Sequence, residues 1–191
     1  MSKVKLGFCL TGSFCTFHQV IKEMEQLAQE YDILPIMSYH AASLDTRFGK
    51  ACDHIQAIEE ICGKKVIATL PEAEPIGPKG YTDLMLVAPC TGNTLAKLAN
   101  SIVDTPVTMA VKSHLRNGRP VVIAVSTNDG LSGASKNIGM LQNYRHYYFV
   151  PYRQDDFMGK PCSLVADFKK IPETLQAAQQ GIQLEPLLLT K

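Results

Sequence analysis

The chain has 191 residues, with 19 Lys plus Arg against 18 Asp plus Glu and a net charge of +1. Such a balance supplies no field to attract nucleic acid or an anionic membrane, and no stretch approaches the roughly 20 apolar residues of a membrane span. Val4 to Leu10 is too short, and too abruptly followed by Thr11-Gly12-Ser13, to be a signal peptide, so a cytoplasmic protein with one domain over residues 1–191 is expected.

The first strand is predicted over Val4 to Leu10, followed by a helix over Phe14 to Glu30 whose apolar residues recur with helical period. Between them Thr11-Gly12-Ser13 forms a turn in which Gly12 permits close backbone approach and Ser13 can cap the helix or bind an anion. Asp32 to Tyr39 reads as a second strand, with His40 at its end, and His40 to Gly49 as an irregular polar segment. Ala51, Ile55, Ile58 and Ile61 mark a helix closed by Gly63. Val66 to Leu70 reads as a short strand, and the Pro- and Gly-rich stretch Pro71 to Gly80 as a loop.

Leu84 to Ala88 is an unbroken apolar run, the pattern of a parallel strand buried on both faces. The chain then turns through Pro89-Cys90-Thr91-Gly92-Asn93 into a helix with Leu95, Leu98, Ala99 and Ile102 on one face, capped by Asn93. A helix start carries unpaired N–H groups and the positive end of the macrodipole, and Thr91, Asn93 and Thr94 add polar side chains there. Such a mouth suits an anion, often a phosphate.

Asp104-Thr105-Pro106 opens another helix, with Val107, Ala110, Val111 and Leu115 on its apolar face, ended by Asn117-Gly118. Pro120 to Ser126 is a further buried strand, Thr127-Asn128-Asp129-Gly130 a third polar mouth, and a helix is expected near Lys136 to Gln142. Tyr147 to Val150 gives a short strand, Pro151 to Pro161 an irregular segment, and Ile171 to Gln180 a last helix. The tail Gly181 to Lys191, with Leu187 to Leu189, should dock on a neighbour or fray.

Continuous apolar strands alternating with amphipathic helices predict an α/β fold with a parallel sheet covered on both faces. Ligands of such folds bind beyond the carboxyl ends of the strands, so the mouths at Gly12-Ser13, Thr91 to Thr94 and Thr127 to Asp129 should converge. The sequence has neither a Walker-type phosphate loop nor a G-x-G-x-x-G at the first helix, which leaves a mononucleotide as the expected ligand. Its cysteines, Cys9, Cys15, Cys52, Cys62, Cys90 and Cys162, show no zinc or disulfide spacing and read as buried thiols, with no metal expected.

Thr11-Gly12-Ser13 after the first strand and Ala88-Pro89-Cys90-Thr91-Gly92-Asn93-Thr94-Leu95-Ala96-Lys97 in the middle resemble the flavoprotein superfamily of FMN-binding cysteine decarboxylases and flavin prenyltransferases. Further segments, residues 10–17, 45–49, 72–79, 104–110, 126–131 and 163–168, resemble the branch formed by the flavoprotein subunits of bacterial dipicolinate synthases, over nearly the whole chain. The resemblance implies a flavodoxin-like, Rossmann-like three-layer sandwich, FMN as cofactor and a homo-oligomer built on trimers. It also implies a partner, the A subunit of dipicolinate synthase, through which NAD(P) chemistry enters. It implies a dicarboxylate substrate and a role in oxidising a dihydrodipicolinate-type intermediate during sporulation; the alternatives are an FMN-dependent decarboxylase or flavin prenyltransferase of the same superfamily, or a non-catalytic subunit that binds a separate catalytic chain. By position, Gly12, Ser13, Thr91 and Thr94 would hold the flavin phosphate or ribityl chain, and Asn93 stands where the decarboxylases place a substrate-binding asparagine.

The decarboxylases carry a catalytic histidine before the central strand, where this chain has Ala73-Glu74-Pro75-Ile76. Their later P-A-M-N motif is replaced by Ser126-Thr127-Asn128-Asp129, and Cys162 does not match their C-terminal cysteine motif. A dicarboxylate calls for fixed cations, and Arg47, with its planar fork, is the first candidate, against a surface ion pair with Asp45. His18 and His40 are candidate acids or bases. Asp129 is a third, while Asn128 could orient substrate from the last mouth. Cys90 lies in the central loop as a small lining thiol or a redox group. Arg116 and Arg119 suit a helix end, and His54, His114 and His146 read as structural or exposed.

Overall fold

A computed structural model describes residues 3–190; Met1, Ser2 and Lys191, the ends of the expected domain and tail, lie outside the described residues. The strands are β1 (Val4–Leu10), β2 (Tyr31–Met37), β3 (Leu84–Cys90), β4 (Val121–Thr127), β5 (Tyr147–Phe149), β6 (Tyr152–Arg153) and β7 (Leu164–Ala166). The helices are α1 (Phe17–Glu30), α2 (Tyr39–Ser43), α3 (Ala51–Cys62), α4 (Leu70–Ala73), α5 (Gly92–Ala99), α6 (Pro106–Leu115), α7 (Ser135–Gln142) and α8 (Ile171–Gln179).

The order β2-β1-β3-β4 is parallel throughout. All of β3 is buried, as its uninterrupted apolar run requires. Alongside β4, β5 pairs in parallel with Val121 to Ile123, while β7 pairs antiparallel with Ser126 and Thr127 and β6 pairs antiparallel with β7. The expected parallel sheet therefore carries a short antiparallel edge. Strands of two or three residues are too short to show periodicity, and β6 lies within Pro151 to Pro161, expected to be irregular.

Helices cover both faces. α1 packs on β2 and β3, and α8 on β3, β4 and β5, while α6 packs on β2 and β3 and α5 and α7 pack together on the opposite side. The stripe Phe17, Val20, Met24 and Leu27 of α1 joins one contiguous apolar core with Ile33, Val87 and Ile123. That is the three-layer sandwich expected.

Local chemistry explains several other differences. Ser38 caps α2 by accepting the Ala41 N–H, so His40 sits on a short helix rather than at a strand end. Val66 to Leu70 makes only a bridge from Ile67 to Ile36. Pro71 to Gly80 is largely helical: Glu72 accepts from the Thr69 N–H at 3.1 Å and the Thr69 hydroxyl at 2.7 Å, nucleating α4 ahead of a 3-10 turn at Glu74–Ile76. α5 stops at Ala99 and leaves Ile102 47% exposed, so the apolar stripe ends one turn sooner than expected. The tail docks, with the Tyr152 N–H donating to Leu187 O at 2.9 Å and the Leu189 N–H to Tyr152 O at 2.9 Å.

At the amino end of the sheet His114 is fully buried, its Nδ1 accepting from the Thr82 hydroxyl at 2.8 Å and its Nε2–H facing Pro120 O at 3.0 Å. Burial holds its pKa down at about 4, because the charged ring would lose its water. The unfolded chain then binds the proton first, so stability is full above about pH 6.5 and falls as pH drops towards 4, by up to about 3 kcal/mol. Urea unfolding at pH 7 and pH 4.5 should show a larger loss for the wild-type chain than for His114→Gln.

Candidate functional site

β1 and β3 are neighbours whose following helices lie on opposite faces of the sheet, the switch point at which this strand order opens a crevice. Thr11, 1% exposed, clamps it: its hydroxyl donates to Pro89 O at 2.7 Å and accepts from the Thr91 N–H at 3.0 Å. Ser13 then meets Ser126 of β4, hydroxyl to hydroxyl at 2.8 Å, joining the first mouth to the third. The N–H groups of Gly12, Phe14 and Cys15 make no hydrogen bond among the described residues, which leaves donors at the entry to α1.

The second mouth is organised differently from the sequence expectation. Thr91, not Asn93, caps α5: its hydroxyl accepts the Thr94 N–H at 3.3 Å and donates to Thr94 Oγ1 at 3.1 Å. A side chain at Gly92 would start 2.7 Å from both Asp129 Oδ1 and Thr127 Oγ1. The Thr127 hydroxyl donates to Asp129 Oδ1 at 2.5 Å. A carboxylate of the chain itself therefore faces the start of α5, where the dipole favours negative charge.

A cleft of about 1170 Å³ opens from these mouths. Gly12, Ser13, Thr91, Asn128 and His18 all line it, so five of the sequence candidates come together. Asn93 is exposed on α5 and Thr94 is buried in the cap, and neither reaches the cleft wall. His40, exposed on α2, and Asp129, turned to Thr127, also lie outside it. Arg47 stacks over the Phe48 ring at 4.8 Å, and Phe48, not Arg47, reaches the wall. Asp45 is occupied elsewhere, accepting the Ala51 N–H at the start of α3 at 2.9 Å.

Cys90 is fully buried at the end of β3, outside the cleft, and burial raises its thiol and that of Cys9 far above the usual range. All six thiols are free. Only Cys9 and Cys90 are buried, and Cys15 and Cys52 are exposed, which corrects the uniform buried-thiol reading.

Sequence reasoning missed the cations. Lys22, Arg153, Lys160 and Lys169 line the cleft, and only Lys160 is in an ion pair among the described residues, with Asp155 at 2.6 Å. Three of them lie on segments whose position depends on β6 and β7, so no local pattern marks them. Ser126, by contrast, was visible at the end of a predicted strand. Ser163 donates to Asn128 Oδ1 at 3.3 Å and fastens this C-terminal wall to the third mouth.

The sequence profile of the family described as Flavoprotein matches residues 1–167. The chain belongs to the flavoprotein family. Within it, the dipicolinate synthase B subunit of Bacillus subtilis (strain 168) is 40% identical over 186 residues, 97% of this chain and 93% of that protein. The crystal structure of the dipicolinate synthase B subunit from Bacillus halodurans C covers 100% of both chains with a TM-score of 0.90 and 41% identity. Burkholderia xenovorans DmrB in complex with FMN, described as a cubic protein cage for redox transfer, shares the fold at 18% identity, with a TM-score of 0.62 over 78% of this chain and 88% of that one. This flavoprotein thus groups with the dipicolinate synthase B subunits. None of its described helices is long and apolar enough to cross a membrane.

Replacing Thr11 by Val keeps the volume but strands Pro89 O and the Thr91 N–H. Loss of about 2 kcal/mol is expected, read as a lower urea midpoint with unchanged slope.

Proposed function

We propose that this chain is the flavin-binding component of a dipicolinate synthase, holding FMN in the cleft at the β1/β3 switch point. The observation that carries the proposal is the convergence of Gly12, Ser13, Thr91 and Asn128 on that cleft beside unpaired N–H groups at the entry to α1. Phosphate needs donors of this kind, at a backbone it can approach closely. Gly12 provides the approach: a Cβ there would meet only the Phe14 ring, at 3.5 Å. Phe14, Leu164 and Val165 add apolar lining against which a ring can pack. The residues present fit the cofactor named for DmrB and expected of the family.

Bound FMN supplies a two-electron acceptor for the hydride released when a dihydropyridine becomes aromatic. The chain's own contribution is to bind and to orient. Ser13, held by Ser126, and the Gly12 backbone take the phosphate end, and Asn128, held by Ser163, faces the ligand from the third mouth. Lys22, Arg153 and Lys169, exposed on the cleft wall, provide the positive charge that a dicarboxylate such as dihydrodipicolinate calls for, in the place first assigned to Arg47. His18, exposed on the cleft wall, is the candidate proton carrier of the three proposed from sequence that has access to it. NAD(P) enters through the synthase's A subunit, and the chain works as a trimer-built oligomer in the cytoplasm of the sporulating cell. The single-domain reading and the substrate belong to the same proposal.

The expected outcome is a protein that takes up FMN, with Gly12→Val binding it at least tenfold more weakly by fluorescence titration. Reconstitution with the A subunit should give dipicolinate formation that depends on FMN. Full activity from flavin-free protein would assign the chain a purely assembling role instead.

A further inference from the structure

Away from the hydroxyl-rich mouths the cleft runs between the outward face of α1, with Lys22, Glu23 and Gln26, and the opposing Asp167, Phe168 and Lys169. Glu23 stands apart from its neighbours. It lies beside Val20 and Leu27 at the margin of the buried stripe of α1 and is only 8% exposed, with the segment before α8 packed against the helix. Its carboxyl makes no hydrogen bond and no ion pair with any described residue, although Lys22 and Lys169 are close enough to exert a field on it.

The carboxyl oxygens are not sealed in the interior but stay open to solvent in the cleft, so a ligand that fills the cleft displaces that water and leaves the carboxyl costly unless it supplies a donor in exchange. Burial pushes the Glu23 carboxyl above the usual carboxylate range, with Asp167 adding to the effect and the two lysines opposing it. As a mere wall residue it would be better replaced by an apolar side chain of similar volume. As part of a binding site the position makes sense, since whatever fills the cleft must bring the missing donor. Along the helix, Glu23 lies about 9 Å from Phe17 at the opening of α1, so the donor sits at a distance from the anionic end of the ligand.

We propose that Glu23 is a ligand-binding residue of the cleft, accepting a hydrogen bond from an N–H or O–H donor on the part of the ligand remote from its anionic group. With the FMN reading above, on which the ligand's identity rests, that donor is a ribityl hydroxyl or the flavin ring N–H.

The test compares wild-type, Glu23→Leu and Glu23→Gln chains by FMN fluorescence titration and by thermal unfolding without ligand. Glu23→Leu should bind FMN at least tenfold more weakly while its ligand-free form unfolds at a higher temperature than wild type; Glu23→Gln, which keeps an acceptor, should retain most of the affinity. N3-methyl-FMN identifies the donor: weaker binding than FMN to wild type but not to Glu23→Leu assigns the ring N–H, and equal behaviour in both assigns a hydroxyl. FMN affinity of Glu23→Leu within twofold of wild type overturns the assignment alone. A ligand-free Glu23→Leu that unfolds at lower temperature, or does not fold, makes Glu23 structural and overturns it too. A wild-type chain that takes up no FMN overturns the flavin reading and the assignment with it.

Discussion

The buried hydroxyl of Thr11 is the contact on which the site depends. It ties the end of β1 to the end of β3 where the chain departs to opposite faces of the sheet, and so uses a carbonyl and an N–H that would otherwise be left without partners in the interior. Two consequences follow from its position. The Gly12-Ser13 turn is held open next to the strand ends, and Thr91 is fixed where it can cap α5. The Ser13–Ser126 bond then extends the same tie across to β4, so hydrogen bonds join all three mouths.

Among these mouths the two helix starts have different occupations. The start of α5 is answered internally, by the Asp129 carboxylate beside Gly92. The entry to α1 keeps its N–H groups. Asp129 thus neutralises one helix start and leaves the other open, and the absence of a side chain on Gly92 is what lets Asp129 approach.

The central layers were legible because buried parallel strands carry continuous apolar runs, as Leu84 to Ala88 and Val121 to Val125 do, and because α1 repeats its apolar residues at helical spacing. The antiparallel edge was not, since β6 and β7 are too brief for any period and are specified by their partner, β4. Pro71 and Pro75 suggested a loop, but proline fits the first turn of a helix, and the Thr69/Glu72 pair was the signal that outweighed it. At the site, Gly12, Ser13, Thr91, Asn128 and His18 could be read from their places after strands and at the start of α1. Asn93 could not be separated from Thr91 as a cap by residue type alone, since both are good caps. Nothing in the sequence singled out Glu23, because the segment packed against it comes some 140 residues later in the chain.

The pairing of Leu187 to Leu189 with β6 gives the tail a part in the cleft. β6 holds β7, and β7 forms the wall opposite α1. The cleft wall is thus fastened by a segment far along the chain from the mouths at Gly12 and Thr91. Tail and cleft are mechanically coupled: undocking Leu187 to Leu189 frees β6 and, through β7, loosens the wall opposite α1.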